Sequence, residues 1–184
     1  MIVINLWAGP GSGKSTGAAY IFSKLKMAGI NAELVTEFAK DKVWEDNRKA
    51  LANQAYMFGQ QYYRISRLEG EVDVAIVDSP LMLSLLYNND PKLGNDFNQV
   101  VRKVANSYDS LNYFVKRVKK YNPKGRLQTE SESDALSEKI KAIMDAHLGS
   151  YQTIDGNVDG YDTVVMDVLR YLRYSPTIPG NQGR

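Results

Sequence analysis

The stretch that decides the fold of this chain is LWAGPGSGKST, residues 6–16. It follows an apolar run at 2–6 that predicts a buried strand, and it precedes a segment at 18–22 that predicts a helix. A glycine-rich loop between a strand and a helix is typical of a phosphate-binding site, because glycines let the backbone bring its N–H groups close to a polyphosphate. The residues expected to contact phosphate are Gly9, Pro10, Gly11, Ser12, Gly13, Lys14, Ser15 and Thr16.

Two side chains of this loop carry specific chemistry. Lys14 is expected to reach the β- and γ-phosphates of a nucleoside triphosphate, where it acts catalytically, and the Ser15 hydroxyl is expected to hold Mg²⁺. The helix that starts near Lys14 adds the positive end of its dipole. Ala8 stands where this type of loop usually begins with glycine, and a methyl group is tolerated where the loop leaves the strand.

Length and composition restrict the class of protein. The 184 residues contain no cysteine and a single histidine, His147, which excludes disulfides, thiolate metal sites and multi-histidine metal centres. No segment approaches the roughly 20 apolar residues of a membrane span, and the first strand begins too early for a signal peptide. We expect a cytoplasmic protein with one domain over residues 1–174 and a flexible tail at 175–184.

The charge is unevenly distributed. Residues 102–126 hold eight Lys/Arg and one acidic residue, Asp109, whereas the remaining 15 basic and 20 acidic residues give the rest of the chain a net charge of −5. A basic cluster in an otherwise acidic chain indicates a polyanion near that segment. The alternative is a solvated helix face.

Apolar strands alternate with amphipathic helices along the chain. This alternation predicts an α/β fold with a mostly parallel five-stranded sheet and helices on both faces. Ser131 with Asp134 resembles a capping box, and Asp159 is expected to cap the last helix. The predicted strands lie near 2–7, 32–37, 72–77, 111–115 and 151–154, and the helices near 14–28, 47–69, 81–87, 95–107, 132–147 and 160–173.

Acidic residues follow two of these strands. Ligands of parallel α/β sheets bind at the carboxyl ends of the strands, where Asp78 is placed to hold Mg²⁺ beside Ser15. Capping of the following helix is the alternative role of Asp78. Glu37, at the end of the second predicted strand, is placed to accept a proton from an acceptor hydroxyl. An ordinary polar strand end is the alternative reading of Glu37.

Further candidates lie on a basic loop and on the long helix. Arg117 and Arg126 belong to a predicted lid after the fourth strand and are candidates for neutralising transferred phosphoryl charge; a solubilising loop is the alternative. The helix near 47–69 is rich in aromatic and amide side chains that could stack on or read an acceptor, although such aromatics usually form core. Its candidates are Gln54, Tyr56, Phe58, Gln60, Gln61, Tyr62, Tyr63 and Arg64.

Over residues 1–172 these features resemble small P-loop kinases of the nucleoside and nucleotide kinase group. The likeness is closest to nicotinamide riboside kinase domains and related phage and bacterial ATP-binding proteins. The resemblance implies a P-loop NTPase fold, ATP with Mg²⁺ as donor, Glu37 as the acceptor-side acid and Arg126 as a lid residue. Asp78 is followed by Ser79-Pro80, not by the Asp-Arg pair of many deoxynucleoside kinases.

The leading hypothesis is therefore a kinase that moves the γ-phosphoryl of ATP to a nucleoside- or nucleotide-class acceptor. One alternative is a phage-type DNA kinase that phosphorylates a hydroxymethylated pyrimidine within DNA, for which the basic segment would contact the DNA backbone. Another is a P-loop NTPase or nucleotide-sensing module without a kinase acceptor. No Asn-Lys-x-Asp string is present, which argues against a GTPase switch.

Overall fold

The computed structural model describes residues 1–122 and 129–174. The predicted tail and part of the basic loop, including Arg126, lie outside this range. The strands are β1 Ile2–Trp7, β2 Ala32–Val35, β3 Val74–Val77, β4 Ser110–Lys116 and β5 Gln152–Asp155. The helices are α1 Lys14–Met27, α2 Phe38–Trp44, α3 Arg48–Ala52, α4 Gln54–Ser66, α5 Ser84–Tyr87, α6 Gly94–Ala105, α7 Glu130–His147 and α8 Val158–Tyr174, with a 3₁₀ turn at Leu81–Leu83.

The five strands form one sheet in the order β2-β3-β1-β4-β5, and every pair in it is parallel. The expected α/β architecture is thus confirmed, with a fully parallel rather than mostly parallel sheet. Parallel neighbours need crossover connections, and the helices supply them. The carboxyl ends of all five strands consequently lie along one edge, where the phosphate-binding loop follows β1.

Side-chain alternation along β1 assigns the helices to two faces of the sheet. Ile2, Ile4 and Leu6 pack in a cluster with residues of α1 and α8. Val3 and Trp7 pack in a second cluster with residues of α4, α6 and α7. The period of two along a strand sends alternate residues to opposite faces, so both faces of the sheet are covered, as predicted.

The predicted long helix near 47–69 is wrong in one respect, since the structure divides it into α3 and α4. Asn53 separates the two with an extended backbone (φ −91°, ψ 91°), and its side chain accepts a 3.0 Å hydrogen bond from the Tyr56 amide. Asparagine side chains favour such caps over helix interiors because they satisfy unpaired amides. Gln54 and Gln61 lie on the buried face of α4, whereas Tyr62 is exposed.

Two predicted caps are also displaced by two residues. The capping box of α7 is formed by Thr129 and Glu132, whose side chains bond each other's backbone amides, and not by Ser131 and Asp134. At α8 the Asn157 side chain accepts from the Gly160 amide at 2.9 Å, so Asn157 takes the role expected of Asp159. Several side chains near each helix start could cap it, and the backbone geometry selects one.

Across the part of the chain that the structure describes, no helix is both long and apolar enough to span a membrane.

Candidate active site

The phosphate-binding loop runs from the end of β1 to the start of α1 and contains two glycines with left-handed backbone. Gly11 has φ 83° and Gly13 has φ 108°. Residues with a Cβ rarely adopt these angles, so glycine is required for the loop to reverse direction at both points. Gly13 is also the N-cap of α1, where no side chain caps the helix. The first amides of α1 are therefore available to an anion.

Hydroxyl groups from two distant helices hold this loop in place. Ser133 of α7 donates a 2.6 Å hydrogen bond from Oγ to the Pro10 carbonyl. The Tyr161 hydroxyl of α8 donates a 3.0 Å bond to the Gly13 carbonyl. These bonds give both carbonyls a partner outside the loop. The loop is thereby fixed from outside with its N–H groups left for a ligand.

Close packing, rather than backbone angle, explains why Gly9 is a glycine. A Cβ on Gly9 would lie 2.5 Å from Ser137 Oγ and 2.6 Å from the Ser133 carbonyl. After β5, Gly156 makes an even closer approach, because its Cβ would lie 2.2 Å from the Ser12 carbonyl. The loop is therefore packed against both α7 and the segment that follows β5.

Ser15 and Asp78 meet beside this loop. The Ser15 hydroxyl donates to Asp78 Oδ2 at 2.6 Å. Asp78 is 4% exposed, and its second oxygen, Oδ1, is buried without a hydrogen-bond partner among the described residues. A buried carboxylate oxygen without a donor is costly unless a cation neutralises it. Hydroxyl and carboxylate oxygens are the ligands that Mg²⁺ prefers, so the pair fits a magnesium ion.

Glu37 lies at the mouth of the same site. The structure corrects its predicted place at the end of a strand, since β2 ends at Val35 and Glu37 is the N-cap residue of α2. Burial raises the pKa of the Glu37 carboxyl above 4.5, the nearby Lys14 cation opposes this, and the Asp78 carboxylate adds to it. Glu37 therefore lies close enough to both Lys14 and Asp78 for their charges to act on its carboxyl. A carboxyl with a raised pKa is suited to accept a proton near neutral pH.

The backbone around Glu37 is anchored to α4. Gln61, itself buried, accepts a 2.9 Å hydrogen bond from the Phe38 amide through Oε1. Arg64 donates from Nη1 to Thr36 Oγ1 at 2.9 Å and forms an ion pair with Asp41. These contacts hold the residues on both sides of Glu37. The backbone that carries Glu37 is thus anchored on both sides by Gln61 and Arg64 of α4.

The Gln61 side chain has an unused donor. The residue is only 7% exposed, and its Nε2 is buried without a hydrogen-bond partner among the described residues. Buried amide donors are normally paired, and an exception needs a physical reason. A ligand beside Glu37 would supply the acceptor.

Aromatic groups surround the same region. Phe38 and Tyr56 meet edge to face with ring centroids 5.5 Å apart, and the Arg64 guanidinium lies 5.1 Å from the Phe38 centroid. Partial burial, with a smaller effect of the Glu37 charge, raises the pKa of Tyr87 to about 12. The Tyr87 hydroxyl therefore stays protonated at neutral pH and is a donor in the neighbourhood of Glu37.

The basic residues after β4 contact different parts of the structure. Arg117 forms ion pairs with Glu130 and Asp134 of α7, and its guanidinium lies 5.3 Å from the Tyr121 ring centroid. Arg126 lies outside the described residues. Lys119, which the sequence did not single out, brings Nζ to 3.7 Å from the position of a Cβ on Gly13. Lys119 therefore lies near Gly13 of the loop, while Arg117 is held by α7.

The structure thus brings together the loop residues 9–16, Asp78 and Glu37, as the sequence predicted. Sequence reasoning missed the two hydroxyl contacts to the loop from Ser133 and Tyr161. Neither residue carries a local signal, because a serine and a tyrosine within amphipathic helices are both ordinary. The close packing of Ser133 and Ser137 of α7 against Gly9 of the loop is visible only in three dimensions.

Comparison with known proteins bears on the fold. No protein-family model matches the sequence, and no curated protein matches it. A crystal structure of NadR protein in complex with NR matches with a TM-score of 0.72 and 16% identity, over 99% of this chain and 54% of that chain. This chain therefore spans about half the length of that NadR chain.

A second solved structure is of similar size. Deoxyadenosine kinase from M. mycoides, with the products dCMP and a flexible dCDP bound, matches with a TM-score of 0.58 and 17% identity, over 94% of this chain and 99% of that chain. Identities this low establish the fold alone. The chain has the five-stranded, all-parallel P-loop NTPase fold that it shares with these two proteins.

Proposed function

We propose that this chain is an ATP- and Mg²⁺-dependent phosphotransferase that moves the γ-phosphoryl group of ATP to a nucleoside- or nucleotide-class acceptor. The observation that carries the proposal is the position of Glu37. Its partly buried carboxyl, with a raised pKa, shares one site with Lys14 and Asp78. A hydrolase needs only to position water, whereas a carboxyl on the acceptor side fits transfer to a hydroxyl.

The loop would hold the triphosphate. Its amides and the N-terminus of α1 bind the phosphates, and Lys14 neutralises charge that develops on the transferred group. Ser15 and Asp78 would hold Mg²⁺, which when bound would withdraw charge from the phosphate oxygens. Lys119 lies on the Gly13 side of the loop and contributes a further positive charge there.

Glu37 would act on the acceptor. Its carboxylate orients the attacking hydroxyl and accepts its proton as the oxygen–phosphorus bond forms. The amide of Phe38 and the side chain of Thr36 are bonded to α4, so Glu37 is held in place before the acceptor arrives. Pre-positioning of this kind supplies much of the rate in phosphoryl transfer.

The groups near Glu37 support a nucleoside as the acceptor. The unpaired Gln61 Nε2 offers a hydrogen-bond donor, and Phe38 and Tyr56 offer aromatic surface for a planar group. Of the structural neighbours, one is a deoxyadenosine kinase and the other, NadR, is bound to NR. A nucleoside is the acceptor that these features favour. The candidates Arg117 and Arg126 would serve as lid residues, which for Arg117 requires release from Glu130 and Asp134.

The test is a transfer screen with ATP labelled at the γ-phosphate. The panel contains nucleosides, nucleotides, nicotinamide riboside and DNA with hydroxymethylated pyrimidines. We expect label on a free nucleoside or nucleotide and none with Lys14→Ala, while the exposed Lys26→Ala on the same helix serves as the control.

Two other outcomes select the alternatives. Label on DNA, with activity that falls steeply as salt rises, would identify a DNA kinase. ATP hydrolysis that no acceptor accelerates would contradict the proposal and leave an NTPase or a nucleotide-sensing module.

A further inference from the structure

We propose that Tyr161 of α8 is a positioning residue for phosphate, whose hydroxyl group orients and polarises the Gly13–Lys14 peptide and thereby raises the affinity of the loop for a polyphosphate. This role rests on the proposed function in one respect, the binding of phosphate by residues 9–16. The Tyr161 hydroxyl lies 3.0 Å from the Gly13 carbonyl oxygen, although the two residues are 148 positions apart in the chain. It would act through the loop, without touching the ligand.

The Gly13 carbonyl lies at the point where the loop becomes helix α1. It accepts the first hydrogen bond of the helix, from the Gly17 amide at 2.8 Å, and a second bond from the Tyr161 hydroxyl. A carbonyl oxygen has two lone pairs, so both are used. Because the peptide is planar, fixing its carbonyl also fixes the direction of the Lys14 N–H. That N–H is one of the amides that a helix leaves without an internal partner.

An anchor from outside the loop matters at this peptide because of the backbone that precedes it. Gly13 has a left-handed φ of 108°, and no side chain caps α1 there. Glycine has more backbone freedom than any other residue. The hydroxyl bond from α8 restricts that freedom before a ligand arrives, so less ordering remains to be done on binding.

Tyr161 is itself held firmly. Its side chain is buried, and its ring packs so tightly against α1 that a Cβ on Gly17 would lie 2.4 Å from Cε1. The Tyr20 ring centroid lies 6.0 Å from that of Tyr161, and the Tyr20 hydroxyl donates to Asp162 at 2.8 Å. This bond joins α1 to α8 beside Tyr161. The hydroxyl that reaches the loop is therefore carried by a side chain already fixed by packing.

The same bond has an electronic effect on the peptide. A hydrogen bond to a carbonyl oxygen polarises the peptide, and neighbouring hydrogen bonds strengthen one another in this way. The Tyr161 bond therefore makes the Lys14 N–H a better donor. Burial raises the pKa of the Tyr161 hydroxyl, so it is protonated and donates at neutral pH. Ser133 makes the equivalent bond to the carbonyl of the Pro10–Gly11 peptide.

Tyr161→Phe tests this role because it removes the hydroxyl and keeps the ring. The matched control is Tyr113→Phe, since Tyr113 is also buried but its hydroxyl donates to Asp167 and not to the loop. Calorimetry with ADP and with pyrophosphate measures phosphate affinity without an acceptor. We expect Tyr161→Phe to bind both ligands about three- to tenfold more weakly, which corresponds to one hydrogen bond. Tyr113→Phe should bind them as the unsubstituted protein does.

A spectroscopic measurement separates a change in this peptide from a general loosening of the fold. In ligand-free protein that contains isotope-labelled lysine, the Lys14 amide resonance responds to hydrogen bonding at the Gly13 carbonyl of the same peptide. Its absence from the spectrum of Lys14→Arg identifies it. We expect the resonance to shift in Tyr161→Phe and to stay in place in Tyr113→Phe.

The outcomes distinguish this role from the proposed function. Unchanged affinity in Tyr161→Phe, equal weakening in both tyrosine variants, or an unmoved Lys14 resonance would overturn the role of Tyr161 alone. If the unsubstituted protein binds neither ADP nor pyrophosphate, the proposed function fails as well, because the loop then holds no phosphate whose affinity Tyr161 could raise.

Discussion

The Ser133 hydroxyl of α7 lies 2.6 Å from the Pro10 carbonyl of the phosphate-binding loop, although the two residues are 123 positions apart in the chain. Ser133 is buried, and the same helix carries the two carboxylates that bind Arg117. The start of α7 thus contacts both the loop and the basic segment after β4. We therefore expect the position of α7 to affect the shape of the proposed phosphate site.

Replacement of Ser133 by alanine tests this contact. The Pro10 carbonyl loses its partner, so we expect the free energy of unfolding to fall by about 1–3 kcal/mol and ATP binding to weaken several-fold. Thermal unfolding and calorimetric titration with ATP measure the two effects. Ser131→Ala, an exposed serine in the first turn of the same helix, is the control. If both substitutions behave alike, the contact does not shape the loop.

Gly17→Ala tests the packing of α8 against α1. A Cβ at Gly17 would lie 2.4 Å from Cε1 of Tyr161, the residue that also bonds the Gly13 carbonyl. We expect a loss of about 1–3 kcal/mol in stability from this overpacking. Gly59→Ala is the matched control, because nothing lies within 4 Å of its Cβ. Alanine there should stabilise α4 by about 0.5–1 kcal/mol. Denaturant unfolding should therefore show a lower free energy of unfolding for Gly17→Ala and a higher one for Gly59→Ala.

Asp78→Asn tests the magnesium assignment. The amide keeps an acceptor for the Ser15 hydroxyl but removes the charge, so the Mg²⁺ concentration for half-maximal activity should rise by about tenfold or more. Magnesium titration at fixed ATP measures this. Asp73→Asn, just before the start of β3, should leave the titration unchanged. An unaltered magnesium dependence in Asp78→Asn would remove this residue from the proposed metal site.

Glu37→Gln is expected to impair transfer while leaving ATP affinity nearly intact. If the unsubstituted protein has the proposed activity, the pH at which kcat/KM falls on the acid side should lie above the usual range for a glutamate, because burial raises the pKa of Glu37. Rate measurements across pH and ATP binding by calorimetry separate the two effects. Equal loss of transfer and ATP binding would contradict the base assignment.

The same substitution has a predicted effect on stability. A carboxyl whose folded pKa exceeds its unfolded value binds its proton more tightly in the folded state, so its ionisation destabilises the fold as pH rises through the folded pKa. Glu37→Gln should therefore unfold at a higher temperature than the native protein at pH 8, and the difference should vanish below the ordinary value of 4.5. The exposed Glu71→Gln should show no such pH-dependent gain.

Local sequence determined the fold class and the phosphate site. Residues 9–16 are contiguous, so the spacing of the glycines, Lys14 and Ser15 is visible in the sequence and predicts their positions in the loop. Apolar strands at regular intervals predicted the parallel sheet, and the rule that strand ends meet at one edge predicted that Asp78 and Glu37 would lie near the loop. The resemblance to small P-loop kinases added the expectation of ATP and an acceptor-side acid.

Caps and helix breaks were less predictable. Thr129 and Asn157 replace the expected caps, and Asn53 divides the segment for which the periodicity predicted one continuous helix. In each case several polar residues could satisfy the same amides, and differences of about 1 kcal/mol decide among them. Local composition does not resolve differences of that size.

Only the tertiary structure brought Ser133 and Tyr161 to the loop. These contacts join residues more than a hundred positions apart, and they depend on how helices settle on the two faces of the sheet. Periodicity and motif spacing describe neighbours along the chain, so the sequence by itself determined the proposed phosphate chemistry. Long-range packing determined what holds that chemistry in place.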